Sequence, residues 1–157
     1  MKVFLGIIAG LMAILLCSCS GARPTEQLGL GNNRLHPCPD SPNCVSTSET
    51  DPDQQVLPFK LQIEAPAAWV SIVDTVKSLP RTRIVSVTDN YLHAECRSAV
   101  FGFVDDLELH LRPEQHHVGI RSAARTGYYD FGVNLKRVEE LRSELVAAGL
   151  VQKTVEK

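Results

Sequence analysis

Between positions 105 and 137 the chain sets acids and bases at spacings that can do chemistry. Asp105, Asp106 and Glu108 fall on one segment, Arg121, Ser122 and Arg125 on the next, and Asp130, Asn134 and Arg137 on a third. Neighbouring carboxylates are the material of general acid/base catalysis, because burial raises one carboxyl's pKa while a nearby cation holds another ionised. An arginine guanidinium is a planar fork matched to carboxylate or phosphate, so Arg121 and Arg125 suit an anionic ligand. Two uses are open. The nine residues can form a ligand-binding surface, or Asp105 or Asp106 can serve a hydrolase as acid/base while Arg121 or Arg125 stabilises an anion. Asp106 and Glu108 stand where they neutralise both arginines, and nothing resembles an activated nucleophile. No catalytic residue is therefore assigned, and binding is the leading reading. The plainest alternative is a solvated face whose cross-strand pairs contribute roughly 0.2–1 kcal/mol each.

Two alternating segments must position these groups. Phe101, Phe103, Leu107, Leu109 and Leu111 share one face and Val104, Asp106, Glu108 and His110 the other, with Asp105 interrupting the apolar side. In the second segment Val118, Ile120, Ser122 and Ala124 alternate with His117, Gly119, Arg121, Ala123 and Arg125. A turn over Pro113 to His116 centred on Glu114 and Gln115 sets Leu111 against Val118, Leu109 against Ile120 and Glu108 against Arg121. A slip of one residue would turn every side chain to the wrong face.

FVDDLEL and IRSAARTGYYDFGVNLKRVEELR, with HPCPDSPNCVS nearer the start, resemble a bacterial and plastid family known as domain of unknown function 1499. The resemblance runs from about Leu35 to Leu145 through three separated motifs in order. Ala124 stands where the family run has its second Ser, and Leu135 where a basic residue is usual, so neither a catalytic serine at 124 nor an anion contact at 135 carries over. The family's description assigns no activity; the resemblance speaks to fold.

Met1-Lys2 followed by an apolar run from Val3 to Leu16 is a secretory signal, and Leu16-Cys17-Ser18-Cys19 resembles a bacterial lipobox. Residues 1–18 would be cleaved and Cys19 acylated, giving firm membrane anchoring through more than one chain. Ser20 after that cysteine resembles outer-membrane sorting, so the expected place is the periplasmic face of the outer membrane in the cell envelope. Losing Lys2 takes the formal net charge from −2 to −3. That balance, with few aromatics, lacks the basic footprint of nucleic-acid binders.

Residues 19–34 are Gly-rich, without periodicity, and read as a tether. In the Cys-Pro loop 36–46, three prolines resist sheet pairing. Outside the cytoplasm Cys38 and Cys44 are expected to form a disulfide; a metal site from His36, Cys38, Cys44 and Asp40 is the rival, disfavoured by its spacing. Val56, Phe59, Leu61 and Ile63 suggest a first strand. Pro66 opens a helix with Trp69, Ile72, Val73, Val76 and Leu79 as its stripe. A hairpin turns at Asp89-Asn90, placing Val85 and Val87 with Leu92, Ala94 and Cys96 and leaving His93, Glu95 and Arg97 solvated. Asn134 suits the N-cap of a last helix buried through Val138, Leu141, Leu145 and Ala148, and Asp130 can accept backbone amides or meet Arg125 or Arg137. Residues 151–157 read as a tail.

The expected fold is a single α+β domain over 35–150, an antiparallel sheet of about five strands in the order β-α-β-β-β-β-α with two helices on one face. That topology resembles TATA-binding-protein-like or helix-grip folds and carries no function. The functional expectation is a lipid-anchored envelope protein whose polar sheet face and Cys-Pro loop bind a partner protein or a small anionic ligand. A hydrolase and a carrier of an apolar ligand, with Phe101, Phe103 and Trp69 lining a cavity, are the alternatives. No cofactor and no metal are expected.

Overall fold

The computed structural model describes residues 28–154. The signal segment 1–18, Cys19 and residues 20–27 of the expected tether lie outside it. Ten elements follow in order: β1 (Leu30–Gly31), β2 (Arg34–Leu35), β3 (Cys44–Ser46), β4 (Phe59–Lys60), α1 (Ala65–Ser78), β5 (Thr82–Val87), β6 (Tyr91–Arg97), β7 (Val104–Arg112), β8 (His117–Ala124) and α2 (Val133–Ala147). The fold is α+β, and from β4 onward the order is the expected one.

Six strands form one antiparallel sheet in the order β3-β8-β7-β6-β5, with β4 also on β8. The β7–β8 register is the one the alternation predicts: Leu111 pairs with Val118, Leu109 with Ile120 and Glu108 with Arg121. A short 3-10 turn, Pro113–Gln115, closes the hairpin, and His116 takes a left-handed φ of 51°. The sixth strand comes from the Cys-Pro loop. Cys44, Val45 and Ser46 pair with Ala123, Ser122 and Arg121, because all three prolines precede them and their amides are free to bond. The expected strand around Phe59 shrinks to two residues; Val56 packs in the core outside it and Ile63 is 38% exposed.

Both helices lie on one side of the sheet and enclose the core with Leu92, Leu107, Leu109, Val118 and Ile120. Pro66 sits at the start of α1, and Trp69, Ile72, Val73 and Val76 are buried as the stripe requires. The Trp69 indole donates to the Thr88 carbonyl at 2.9 Å, so this ring is core with a satisfied N–H. Beyond α2, Gly149 at φ 70° turns the chain back; Val151 bridges Leu61 and the Gln152 amide bonds Lys60, so the expected tail is docked at its start.

Three expectations fail for identifiable reasons. Phe101 and Phe103 lie ahead of β7, 77% and 56% exposed, because Gly102 adopts φ 66° and breaks the alternation. Val85 is exposed because a bulge between Ile84 and Ser86 shifts the register, so Ile84 takes its place opposite Ala94. Part of the expected tether is a hairpin: Leu30 pairs with Leu35, and Leu35 is buried against the polar side of the sheet.

Candidate functional site

The sheet side opposite the helices, expected to be an open polar face that binds a partner or an anion, is covered over β7 and β8 by β1 and β2. Glu108 is fully buried beneath them. Its Oε2 accepts from Arg121 Nη1 at 2.9 Å, and its Oε1 from the Tyr91 hydroxyl at 2.6 Å and the Gly29 amide at 2.8 Å. Burial, then the Glu108 charge, drives the Tyr91 hydroxyl's pKa far up, so it stays a donor. Arg121 Nε is a buried nitrogen with no partner among the described residues.

One pair along the same face, Asp106 accepts from Arg125 Nε at 2.8 Å and Nη2 at 2.6 Å and lies 2.6 Å from His93 Nε2. Arg125 Nη2 also reaches Glu95 at 2.9 Å, whose other oxygen takes Arg83 at 2.9 Å. Burial disfavours the charge on both acids, yet the hydrogen bonds prevail. Arg125 and His93 hold Asp106 below the usual carboxylate range, and Arg83 and Arg125 do the same for Glu95. The hydrogen bond from Arg125 to Asp106 in turn lifts the guanidinium's pKa. His93 and Glu95, expected to be solvated, are thus members of a closed network.

The remaining candidates meet on the helix side. Arg137 Nη2 donates to Asp105 at 2.6 Å and its Nη1 to the Ser122 hydroxyl at 2.9 Å. Ser122 donates to Asn134 Oδ1 at 2.6 Å, and Asn134 Nδ2 reaches Asp130 at 2.9 Å and the Asn43 carbonyl at 3.1 Å. Burial raises the Asp105 carboxyl's pKa, and the Arg137 charge offsets this only in part. Asn134 is not the N-cap. Gly132 occupies that position at φ 75°, and Asp130 satisfies the first helical amides, accepting from Gly132 at 3.0 Å and Asn134 at 2.8 Å. Asp130 therefore serves backbone amides and not an arginine.

The nine candidates form two clusters on opposite faces: Asp106, Glu108, Arg121 and Arg125 on the face that carries the hairpin, and Asp105, Ser122, Asp130, Asn134 and Arg137 at the start of α2. Among the described residues Asp105 and Asp130 lie across the sheet from Arg121 and Arg125, so the four do not converge. Each acid already holds a cation or a backbone amide, and the Ser122 hydroxyl is spent on Asn134. Cys38 and Cys44 form the expected disulfide, which removes the rival metal set, and Cys96 is a buried free thiol. Tyr91, His93, Glu95 and Asn43 were missed as members. The alternation of His93 and Glu95 was legible, but their cover was not.

Beyond the second cluster lies an apolar end. The β6–β7 turn carries Val100, Phe101 and Phe103, and the β8–α2 loop carries Tyr128, Tyr129 and Phe131, all 56–86% exposed. The Arg125 amide bonds the Val104 carbonyl, bringing the two loops to the same edge, while Phe101 packs on Phe103 and Tyr129 on Phe131. The Cys-Pro loop adjoins them, with the Asn43 side-chain Nδ2 donating to the Gly127 carbonyl.

No curated protein and no solved structure matches the chain. The family model described as "Protein of unknown function (DUF1499)" matches residues 34–145, a span that contains the disulfide, both clusters and the aromatic loops, and the chain belongs to that family.

Proposed function

We propose that this is a lipid-anchored protein of the bacterial cell envelope, held through Cys19 at the periplasmic face of the outer membrane, that works by docking a partner protein and not by covalent catalysis. The observation that carries the docking is the aromatic end. Five rings stand exposed on two adjoining loops, whereas soluble monomers rarely leave so large a contiguous apolar patch uncovered unless something binds it. Aromatic side chains are also the typical anchors of interfaces, giving large contact area at low entropic cost. Exposed Arg97 and Lys136, at the end of β6 and in the first turns of α2, already meet Glu95 and Glu140, so the contact rests on the rings and not on free charge.

The address rests on the lipobox-like Leu16-Cys17-Ser18-Cys19 and on the Cys38–Cys44 disulfide, which belongs to an oxidising compartment. Neither alternative gains support. A hydrolase needs an unspent base or nucleophile, and both clusters are closed. A carrier needs Phe101, Phe103 and Trp69 around one space; Trp69 bonds Thr88 beside the β5–β6 turn, at the far end of the sheet from the two phenylalanines.

The test is a photo-crosslinking amino acid at Phe101 or Phe131 in cells. A discrete protein adduct is expected, lost when Phe103 and Tyr129 are changed to serine while the melting temperature holds. Absence of an adduct from both positions would refute the docking. Palmitate labelling that survives Cys19→Ala would refute the anchor separately.

A further inference from the structure

The covered polar face opens at one end. At its turn end, under Arg34 and Leu35 of β2, lies a cavity of about 130 Å³. Arg34, Arg112, His110 and His117 line it together with Thr47 and Ser48, and no carboxylate is among its lining residues. Elsewhere on this face each arginine of the network meets an acid; here Arg34, Arg112 and His110 have no side-chain partner among the described residues, and the His117 ring is bonded only to the Gln115 backbone. The β7–β8 register assembles the group, placing Arg112 directly across from His117 and His110 across from Gly119. Gly119 keeps the floor open: a Cβ there would lie 3.1 Å from Thr47 Oγ1, within the space the cavity uses. His110 is only 2% exposed, so its ring is desolvated, not bathed in water.

We propose that this cavity is a binding site for a phosphate-class oxyanion, clamped by the Arg34 and Arg112 guanidinium groups and accepting hydrogen bonds from the imidazoles of His110 and His117. The chemistry fits: arginine forks match a tetrahedral oxyanion, and each imidazole supplies one N–H when neutral and two donors when protonated. The site lies outside the aromatic end and does not depend on the docking reading.

Burial, then the Arg112 charge, pushes both histidines' pKa values down. The other groups facing them are Arg34 from β2, Lys60 of β4 directly across from His117, Tyr91 and Glu108 on the strands beside His110, and Glu114 in the turn; the His117 charge also lowers His110, whereas Glu114 acts weakly in the opposite sense on His110 and the Gln115 backbone does so on His117. A bound anion reverses the burden of the two arginines, so binding takes up protons and tightens as pH falls.

The experiment titrates the oxidised chain with inorganic phosphate, following imidazole resonances by NMR at mildly alkaline and mildly acidic pH. Saturable shifts of His110 and His117 are expected, with tighter binding at the lower pH. Arg112→Gln and, separately, the more exposed Arg34→Gln should each weaken binding about tenfold or more while the melting temperature stays within a few degrees. Glycerol 3-phosphate distinguishes the source: tighter binding than phosphate indicates a lipid or sugar phosphate headgroup, equal binding the free ion, and either supports the site. A linear, non-saturating response to phosphate, or saturation unchanged in both arginine variants, would overturn it.

Discussion

Arg121 and Glu108 form a pair with side chains 3% and 0% exposed, and at that depth the partner left behind dominates any substitution. Arg121→Leu is expected to cost about 3–5 kcal/mol in chemical denaturation, because it strands the Glu108 carboxylate. Adding Glu108→Leu should recover most of that loss, which a double-mutant cycle will show. The two aspartates should behave differently. Asp106 is held ionised by Arg125 and His93, so Asp106→Asn should destabilise the protein by about 3 kcal/mol near neutral pH. Burial already works against the charge on Asp105, so Asp105→Asn should cost less, about 1 kcal/mol. Equal losses would contradict the opposite directions in which the two carboxyls are pushed. The neutralisation of the arginines was legible in the sequence, since a two-residue period and a turn suffice to set Glu108 against Arg121. The division into two clusters was half legible. Asp105 and Asp106 are adjacent on a strand and so must face opposite ways, but which distant residue meets each depended on where α2 begins.

Periodicity located the helices, the central hairpin and the buried stripe, because each buries a full face and the pattern repeats. It failed where a single residue resets the count, as at the Ile84–Ser86 bulge and at Gly102, and where an element has only two or three residues. Short strands such as β1, β2 and β4 carry no period of their own and exist because β8 or the polar face receives them. The Cys38–Cys44 loop is the clearest example of an element supported from outside. Its prolines delay pairing until Cys44, and the disulfide then fixes the approach of β3 to β8. Reduction, or replacement of both cysteines by serine, should lower stability by about 2–3 kcal/mol, read as a fall in melting temperature. The core strands would remain paired, so circular dichroism should report little loss of sheet.

For the molecule as a whole, the acid limb of stability follows from the signs. Asp106 and Glu95 have pKa values lowered by folding, so their contribution is full above the ordinary carboxylate range and drains away as pH drops through the lowered values. Asp105 has the opposite sign and partly offsets them: its contribution is present in acid and declines as pH climbs through its raised value. Unfolding free energy measured against pH should therefore fall steeply below the carboxylate range, and less steeply in Asp106→Asn. A flat profile would mean the network is not ionised.

The hairpin of β1 and β2 has a mechanical meaning. It is the first element among the described residues, and the Gly29 amide is fastened to a carboxylate at the middle of the sheet. A pull exerted through the leading end of the chain meets these few bonds in series, so the flap would peel open at modest tension while the sheet beneath resisted in shear. Tension on that segment would thereby unroof Glu108 and widen the mouth beside Arg34, making the cover a gauge of load.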